Sequence, residues 1–289
     1  MVRLPPWLTQ RAPDPSVLTD MKELFDGLSL HTVCESAHCP NQGECFSEGT
    51  ATFLILGDVC TRNCLFCAVA KGTPSVLDPA EPQNVARAVH RLGLRYVVIT
   101  SVTRDDLPDG GAEHFAKTVD AVRQISPQTN IELLIPDFQG SADALKKVAN
   151  SNPDVISHNL ETVPRLYPEV RAKADYQRSL NLLRMVKSLD GRIMTKSGLM
   201  LGLGEHYDEV VMEMENLREV DCDILTLGQY LCPSINHRGV SEFVRPQRFG
   251  EYETLAMQMG FKAVASAPFV RSSFNALGLF EKVRRPQAS

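Results

Sequence analysis

The sequence predicts an α/β protein whose main part is a partial (β/α)6 barrel of the TIM type, flanked by an N-terminal and a C-terminal extension. Apolar stretches of strand length alternate with segments of helical periodicity, the pattern of a parallel sheet covered by helices. These stretches show no strict polar–apolar alternation, as is typical of strands buried on both faces. Six strands are too few to close a barrel of this type, so we expect an open cleft.

Six stretches are predicted as strands, at 51–57, 95–102, 131–136, 154–159, 192–201 and 223–228. Apolar residues three or four positions apart predict helices whose core faces include Val85, Phe115, Leu182, Val210 and Tyr252. The expected division is an N-terminal extension at 1–50, a barrel at 51–260 and a C-terminal extension at 261–289. Proline residues around Trp7 predict an extended or disordered arm over residues 1–20 and a short helix at 21–30.

Composition places the chain among globular proteins and excludes several other classes. Its 289 residues are 43% hydrophobic and 22% charged, which suffices for a substantial core. A formal net charge of −5 lacks the basic footprint of a nucleic-acid-binding protein, so no nucleic acid is expected as a partner. No long apolar run predicts a membrane span and no secretory signal is recognisable, so we expect a cytoplasmic protein whose thiols stay reduced.

Six of the eight cysteines form two dense triads. The first has the spacing C-x4-C-x5-C and consists of Cys34, Cys39 and Cys45. The second has the spacing C-x3-C-x2-C and consists of Cys60, Cys64 and Cys67. The second triad directly follows the predicted strand at 51–57, and the carboxyl ends of barrel strands are where such enzymes keep their chemistry.

Disulfides, zinc and iron–sulfur clusters compete to explain the triads. The cysteine content is too low for a disulfide-stapled secreted domain. Zinc usually takes four ligands from paired spacings, although His31 or His38 would complete a Cys3His site beside the first triad. A cubane cluster held by three cysteines leaves one iron open for a substrate or another ligand.

The second triad, with Phe66 between its last two cysteines, resembles the signature of the radical S-adenosylmethionine (SAM) enzymes. The first triad, within CESAHCPNQGECF, is similar to the lipoyl synthase family specifically. Further matches to that family span most of the chain, at TSVTRDDLPDGGA (100–112), ELLIPDFQG (132–140), HNLETVPRLYPEVR (158–171) and FVRSSFNA (269–276).

The resemblance implies two [4Fe–4S] clusters and SAM as cofactors. Cys60, Cys64 and Cys67 would hold the cluster whose open iron chelates SAM, and one electron would then cleave SAM to methionine and a 5′-deoxyadenosyl radical. Cys34, Cys39 and Cys45 would hold an auxiliary cluster that is consumed as the sulfur source. In the family a serine of an R-S-S-Y stretch completes this site, which corresponds here to Ser273, although Phe274 replaces the tyrosine.

Other assignments rest on weaker patterns. Asn159 and Glu161 follow a predicted strand and are expected to bind the ribose of SAM, and Arg178 its carboxylate. Gly202 also follows a strand, where the missing side chain would allow the cofactor or substrate to approach. A turn residue, a helix-start carboxylate, a solvated cation and a turn glycine are the plainer interpretations of these four. Cys222 and Cys232 are expected to be non-ligands.

The implied activity is the insertion of two sulfur atoms, at carbons six and eight, into an octanoyl chain attached to a lysine of a carrier protein. The implied partners are the glycine cleavage H protein or a 2-oxoacid dehydrogenase lipoyl domain, a reductant such as ferredoxin or flavodoxin, and an iron–sulfur carrier that repairs the auxiliary cluster. The alternatives are a biotin synthase-like enzyme, whose auxiliary cluster is placed differently, and a non-enzymatic zinc or iron–sulfur protein.

Overall fold

The structure is a computed structural model that describes residues 4–10 and 14–284. The predicted N-terminal arm and the outer ends of both extensions therefore lie partly outside the described residues. A 3-10 turn at Pro6–Leu8 precedes helix α1, Pro15–Gly27. The prediction of an extended arm as far as residue 20 is wrong for residues 15–20, because a proline fits the first turn of a helix and Asp14 caps it by accepting the Ser16 N–H at 2.9 Å.

The remaining elements include all the predicted strands and helices. The strands are β1 (His31–Thr32), β2 (Thr52–Ile55), β3 (Val59–Cys60), β4 (Ala70–Lys71), β5 (Tyr96–Ser101), β6 (Asn130–Leu134), β7 (Val155–Ser157), β8 (Met194–Leu201), β9 (Ile224–Gln229) and β10 (Ala263–Ser266). The helices are α2 (Val33–Ser36), α3 (Gln42–Ser47), α4 (Glu81–Arg91), α5 (Ala112–Ile125), α6 (Ala142–Asn150), α7 (Tyr167–Val170), α8 (Tyr176–Leu189), α9 (Tyr207–Glu219), α10 (Pro246–Gln258) and α11 (Ala276–Arg284). Short 3-10 turns lie at Phe138–Gly140 and Pro164–Leu166.

One sheet of eight strands organises the molecule, in the order β1-β2-β5-β6-β7-β8-β9-β10. All six predicted strands are present and pair in parallel, whereas β1 joins the β2 edge antiparallel. The sheet continues past residue 260, because β10 pairs in parallel with β9 and Val264 lies beside Leu225. Within the described residues β1 and β10 do not pair with each other, so the barrel is open as predicted.

The C-terminal extension packs against both the amino-terminal and the carboxyl-terminal ends of the barrel strands. Helix α11 contacts β5 and β10, and the Phe280 ring lies 5.2 Å from the ring of Tyr96, the first residue of β5. The segment that leads into α11 passes the carboxyl ends of the strands, where the Val270 backbone packs directly on Gly228. Among the described helices none is long and apolar enough to cross a membrane.

Candidate active site

A cavity of about 510 Å³ opens at the carboxyl ends of the parallel strands. Its wall is formed by the last residues of β5, β6, β8 and β9, by the loops that follow them, and by the cysteine-bearing segments. Since parallel strands converge at this edge, residues far apart in the sequence share one wall. This cavity therefore lies where the barrel prediction places the chemistry.

All three cysteines of the second triad line this cavity. Cys60 ends strand β3, and Cys64 and Cys67 lie on the loop between β3 and β4. Burial, followed by the charges of Cys64 and Cys60, raises the pKa of Cys67 to about 11. The three thiols are thus close together and half-buried, and the raised pKa values of Cys64 and Cys67 disfavour their thiolates until a cation shares the charge.

The loop that carries this triad is bonded to several strand ends. Thr61 donates its N–H and its hydroxyl to the Thr103 carbonyl, at 3.0 and 2.9 Å. The Leu65 N–H donates to the Val170 carbonyl at 3.0 Å, and His237 Nε2 lies 3.1 Å from the Cys67 carbonyl oxygen. The loop is therefore held in place by the rigid frame of the barrel.

Arg62 fixes the same loop to the segments that follow β5 and β6. Its guanidinium donates to Asp105 at 2.7 and 2.9 Å and to Asp137 at 2.6 and 3.0 Å, while only 6% of its side chain is exposed. Asp105 follows β5 and Asp137 follows β6. Burial raises the pKa of Asp137, but the hydrogen bonds and charge of Arg62 outweigh it and hold the value at about 2.

The first triad lies on two short helices and the turn between them. Cys34 is in α2, Cys45 is in α3, and Cys39 lies between them and faces the cavity. Burial, followed by the charges of the other two cysteines, raises the pKa of Cys34 to about 12, and burial and Cys39 raise that of Cys45 to about 11. These three thiols also form one group with the chemistry of a metal site.

The C-terminal segment reaches the first triad. Val270, Arg271, Ser272 and Ser273 line the cavity together with Cys39. Burial raises the pKa of Cys39, against the charge of Arg271, and the side-chain amide of Asn41 donates to the Phe269 carbonyl at 2.7 Å. The stretch that contains Ser273 is thus tied to the loop of the first triad, across more than two hundred residues of sequence.

The donor sets suit clusters better than single ions. Across residues 4–10 and 14–284, no three His, Cys, Asp or Glu side chains converge closely enough to chelate one metal ion. A cubane binds each cysteine through a different iron, so its ligands stand farther apart than those of a zinc ion. Two groups of three neighbouring thiols fit such clusters, and of these the whole second triad and Cys39 of the first face the cavity.

Asn159 and Glu161 form a polar pair in the cavity wall. Asn159 donates its side-chain amide to Glu161 Oε1 at 3.2 Å, and its buried Oδ1 has no hydrogen-bond partner. Burial raises the pKa of Glu161, against the charge of Arg171. An orphaned buried oxygen in the wall of a cavity is a place for a ligand's hydroxyl or amino group, so this pair fits SAM.

Arg178 and Gly202 lie away from the cavity lining. Arg178 pairs with Asp137 at 3.3 Å and borders a smaller neighbouring pocket. Gly202 has φ +99°, and a β-carbon there would collide with the side chain of Gln229 and the carbonyl of Glu242. Close packing on Gln229 therefore accounts for this glycine.

Comparison with known proteins decides the family. The model of the Radical SAM superfamily matches residues 54–217. A lipoyl synthase of Caldanaerobacter subterraneus subsp. tengcongensis is 56% identical over 275 residues, which cover 95% of this chain and 96% of that protein. A lipoyl synthase of Caldicellulosiruptor saccharolyticus is 57% identical over 270 residues, with 93% and 95% covered. The chain belongs to the lipoyl synthase family.

The fold agrees with this membership. SuiB of Streptococcus suis bound to S-adenosylmethionine superposes with a TM-score of 0.59 over 86% of this chain and 60% of that one, at 14% identity. The chain is therefore a radical SAM enzyme that inserts sulfur, and its superfamily implies a [4Fe–4S] cluster and SAM as cofactors. The predictions of fold class, family and enzymatic function are confirmed.

Two buried arginines of this lipoyl synthase family member were missed by sequence reasoning. Arg62 lies inside the second triad, and Arg171 closes the stretch that contains Asn159. Arg171 donates to the carbonyls of Asn159 and Leu160 at 3.0 and 2.9 Å, and its charge lies near Cys64. For Arg62, its position between two cysteines was a usable signal; for Arg171, nothing in the sequence separates it from surface arginines.

The two remaining cysteines occupy different places. Cys222 is buried before β9, and its Sγ lies 3.4 Å from the Ile224 carbonyl oxygen, as a packed thiol would. Cys232 faces the cavity, and its Sγ donates to the Ser234 carbonyl at 3.0 Å. Its prediction as a non-ligand stays a prediction.

Proposed function

We propose that this enzyme inserts two sulfur atoms, at carbons six and eight, into an octanoyl chain carried on a lysine of a lipoyl-carrier protein. Cys60, Cys64 and Cys67 would hold the cluster that binds SAM. A second cluster would be held by Cys34, Cys39, Cys45 and Ser273. When bound, these groups supply a carbon-centred radical that abstracts hydrogen and the sulfide that replaces it.

The observation that supports this function is that thiols of both triads line one cavity. Cys39, Ser273 and the whole second triad line the same space of about 510 Å³. A C–H bond placed there would have a SAM site on one side and a sulfur source on the other. An unactivated C–H bond has no acidic proton, so general acid–base groups alone would not suffice.

Residues around this cavity would bind and orient SAM and the alkyl chain. Asn159 and Glu161 would receive polar groups of SAM, since one is an orphaned acceptor and the other a buried carboxyl. Arg171 keeps the backbone of both residues in place through the Asn159 and Leu160 carbonyls. The apolar part of the wall, which includes Leu54, Val102, Leu199 and Val270, would exclude water and accept an alkyl chain.

The carrier's lysine arm would reach this space through the open face of the barrel. An open barrel admits a side chain borne by another protein, whereas a closed pocket admits free small molecules. We therefore infer a protein-bound octanoyl group as substrate and a lipoyl-carrier protein as partner. A one-electron donor and a cluster-repair carrier complete the proposed partners.

An anaerobic single turnover tests the proposal. Reconstituted enzyme, SAM, a reductant and an octanoyl-lysine peptide are mixed, and the peptide is followed by mass spectrometry. We expect a singly thiolated peptide, then a lipoylated one, with loss of sulfide from one cluster. Formation of 5′-deoxyadenosine with an unmodified peptide would show that the substrate assignment is wrong.

Ser273 is tested against its neighbour. Ser273→Ala should reduce lipoyl formation by at least about tenfold while 5′-deoxyadenosine still forms, because only the first triad's site loses a ligand. Ser272→Ala is the matched control, since Ser272 lines the same cavity. Equal effects of the two substitutions would remove Ser273 from the ligand set.

A further inference from the structure

Leu56 has an unusual backbone conformation just before the second triad. It follows strand β2, is 1% exposed and has φ +70°. This left-handed region is unfavourable for a bulky side chain, and a residue stays there only when its surroundings hold it. The chain then continues through Gly57 to Cys60, so any change at Leu56 alters the direction of the cysteine loop.

Buried side chains hold both backbone groups of Leu56. Its N–H donates to Glu81 Oε2 at 2.8 Å, and the same oxygen accepts from His114 Nε2 at 2.6 Å. Its carbonyl accepts from Arg104 Nη1 at 3.0 Å, and Arg104 is in turn fixed by Asp106 at 2.9 Å. Glu81, Arg104 and His114 are 4%, 3% and 7% exposed, so all three are buried, whereas Asp106 lies at the surface.

Packing also fits the Leu56 side chain to this conformation. Gly111 precedes helix α5 with φ +91°, and a β-carbon there would overlap the Leu56 side chain. Gly111 thus makes room for Leu56, whereas its neighbour Gly110 packs on Phe138. Three separate segments therefore meet at one residue: the start of α4, the loop after β5 and the start of α5.

We propose that Glu81, His114 and Arg104 are positioning residues that hold Leu56 left-handed and thereby aim the loop of Cys60, Cys64 and Cys67 at the cavity. Neither strand pairing nor the cysteines themselves require this conformation, since the pairing of β2 with β5 ends at Ile55. Side chains supply the hydrogen bonds that the sheet no longer provides. This inference rests on the proposed function, in which that loop binds a cluster and SAM.

Amide hydrogen exchange of residues 57–61 in the reconstituted enzyme tests the backbone claim. Arg104→Ala should speed exchange there by at least about tenfold, because the Leu56 carbonyl loses its donor. Arg123→Ala is the matched control: Arg123 also binds a carbonyl and a carboxylate, Thr129 O at 2.7 Å and Asp154 at 2.8 Å, at the other end of the strands. Equal exchange in both variants would overturn the proposal.

Spectroscopy of the reduced cluster tests the positioning claim. Glu81→Ala should weaken the affinity for SAM by about tenfold, read from the EPR change that SAM induces, without loss of bound iron. Glu81→Gln retains an acceptor for Leu56 and should restore native affinity. If Gln is as impaired as Ala, or Ala binds SAM normally, the inference is wrong.

The experiments can refute the proposed function and the positioning role independently of each other. If the native enzyme shows no SAM-induced change in its EPR spectrum, the proposed function fails, whereas the exchange of residues 57–61 still reports on Leu56. If the native enzyme responds to SAM but neither Arg104→Ala nor Glu81→Ala differs from the Arg123→Ala control, the positioning role fails alone.

Discussion

The first cysteine loop (34–45) and the second cysteine loop (60–67) reach the same cavity but are held in different ways. The second loop is bonded to segments that follow β5, β6, β7 and β9, through Thr61, Arg62, Leu65 and Cys67. In the first loop most bonds stay local, such as Cys39 N–H to the Cys34 carbonyl at 3.0 Å. Its attachments to the rest of the protein include the packing of Phe46 on Phe25, the short β1–β2 pairing and the side chain of Asn41.

The difference separates a rigid site from a locally held one. A loop that is hydrogen-bonded to several segments of the barrel opens only when the barrel itself unfolds. A loop held mainly by its own turns opens locally, at a lower free-energy cost. The proposed function needs both properties. The SAM site must keep its geometry from one turnover to the next, and a site that gives up its sulfur must be rebuilt.

Removing one cysteine from each loop should give the largest contrast. Cys64→Ala should abolish 5′-deoxyadenosine formation, because the SAM site loses a ligand. Cys39→Ala should keep that reaction and lose lipoyl formation. Liquid chromatography of the nucleoside and mass spectrometry of the peptide measure the two activities, with bound iron as the control. Loss of both activities in Cys39→Ala would show that the two sites do not act separately.

Arg62→Ala should strongly lower the free energy of unfolding, because Arg62 connects the loop of the second triad to Asp105 and Asp137. Asp137 is 1% exposed and would keep its longer pair with Arg178, at 3.3 Å, so the expected cost is at most the ~3–5 kcal/mol of a buried carboxylate that loses its cation. Urea unfolding followed by circular dichroism measures the loss. Arg192→Ala is the control, since its ion pair with Asp190 lies on the surface, and its unfolding midpoint should match that of the native protein. Similar midpoints for both variants would mean that Arg62 does not anchor the loop.

A buried polar layer that reaches Arg171 makes the stability of the folded protein depend on pH. Glu213 is fully buried, and burial raises its pKa from 4.5 to about 7, although Tyr176 and Asn216 favour the charged form. The Tyr176 ring packs 5.5 Å from that of Tyr167, whose hydroxyl accepts from Arg171 at 3.1 Å. The layer thus connects, through Arg171, to the backbone of Asn159 and Leu160.

Since the folded state keeps this proton up to about pH 7, its stability falls as the pH rises from 4.5 to 7. One pKa unit corresponds to ~1.4 kcal/mol, so Glu213→Gln should gain roughly 3 kcal/mol over the native protein at pH 8 and little at pH 4. Urea unfolding at the two pH values measures this. Glu215→Gln, on the exposed side of the same helix, is the control. An equal gain at both pH values would contradict the pKa assignment.

The sequence predicted the repeated parts of the structure better than the parts set by single contacts. The strands were predictable because a buried parallel strand needs a continuous apolar run, and the triads because metal ligands recur at fixed spacings. Ser273 came from family resemblance, since hydroxyls at turns are common. Leu56 carries no backbone signal in its residue type, and the burial of Arg171 depends on contacts made only in the folded chain.

Cys232 gives the smallest expected effect and tests whether the two triads are the whole set of thiol ligands. It faces the same cavity as both, so position alone does not separate it from them. Its Sγ is already used, as a donor to the Ser234 carbonyl at 3.0 Å in its own loop. Cys232→Ala should therefore leave bound iron unchanged and both activities within about twofold of native, which is under 0.5 kcal/mol. A loss of iron comparable to that of Cys39→Ala would add a seventh thiol ligand and end the simple contrast between one rigid loop and one locally held loop.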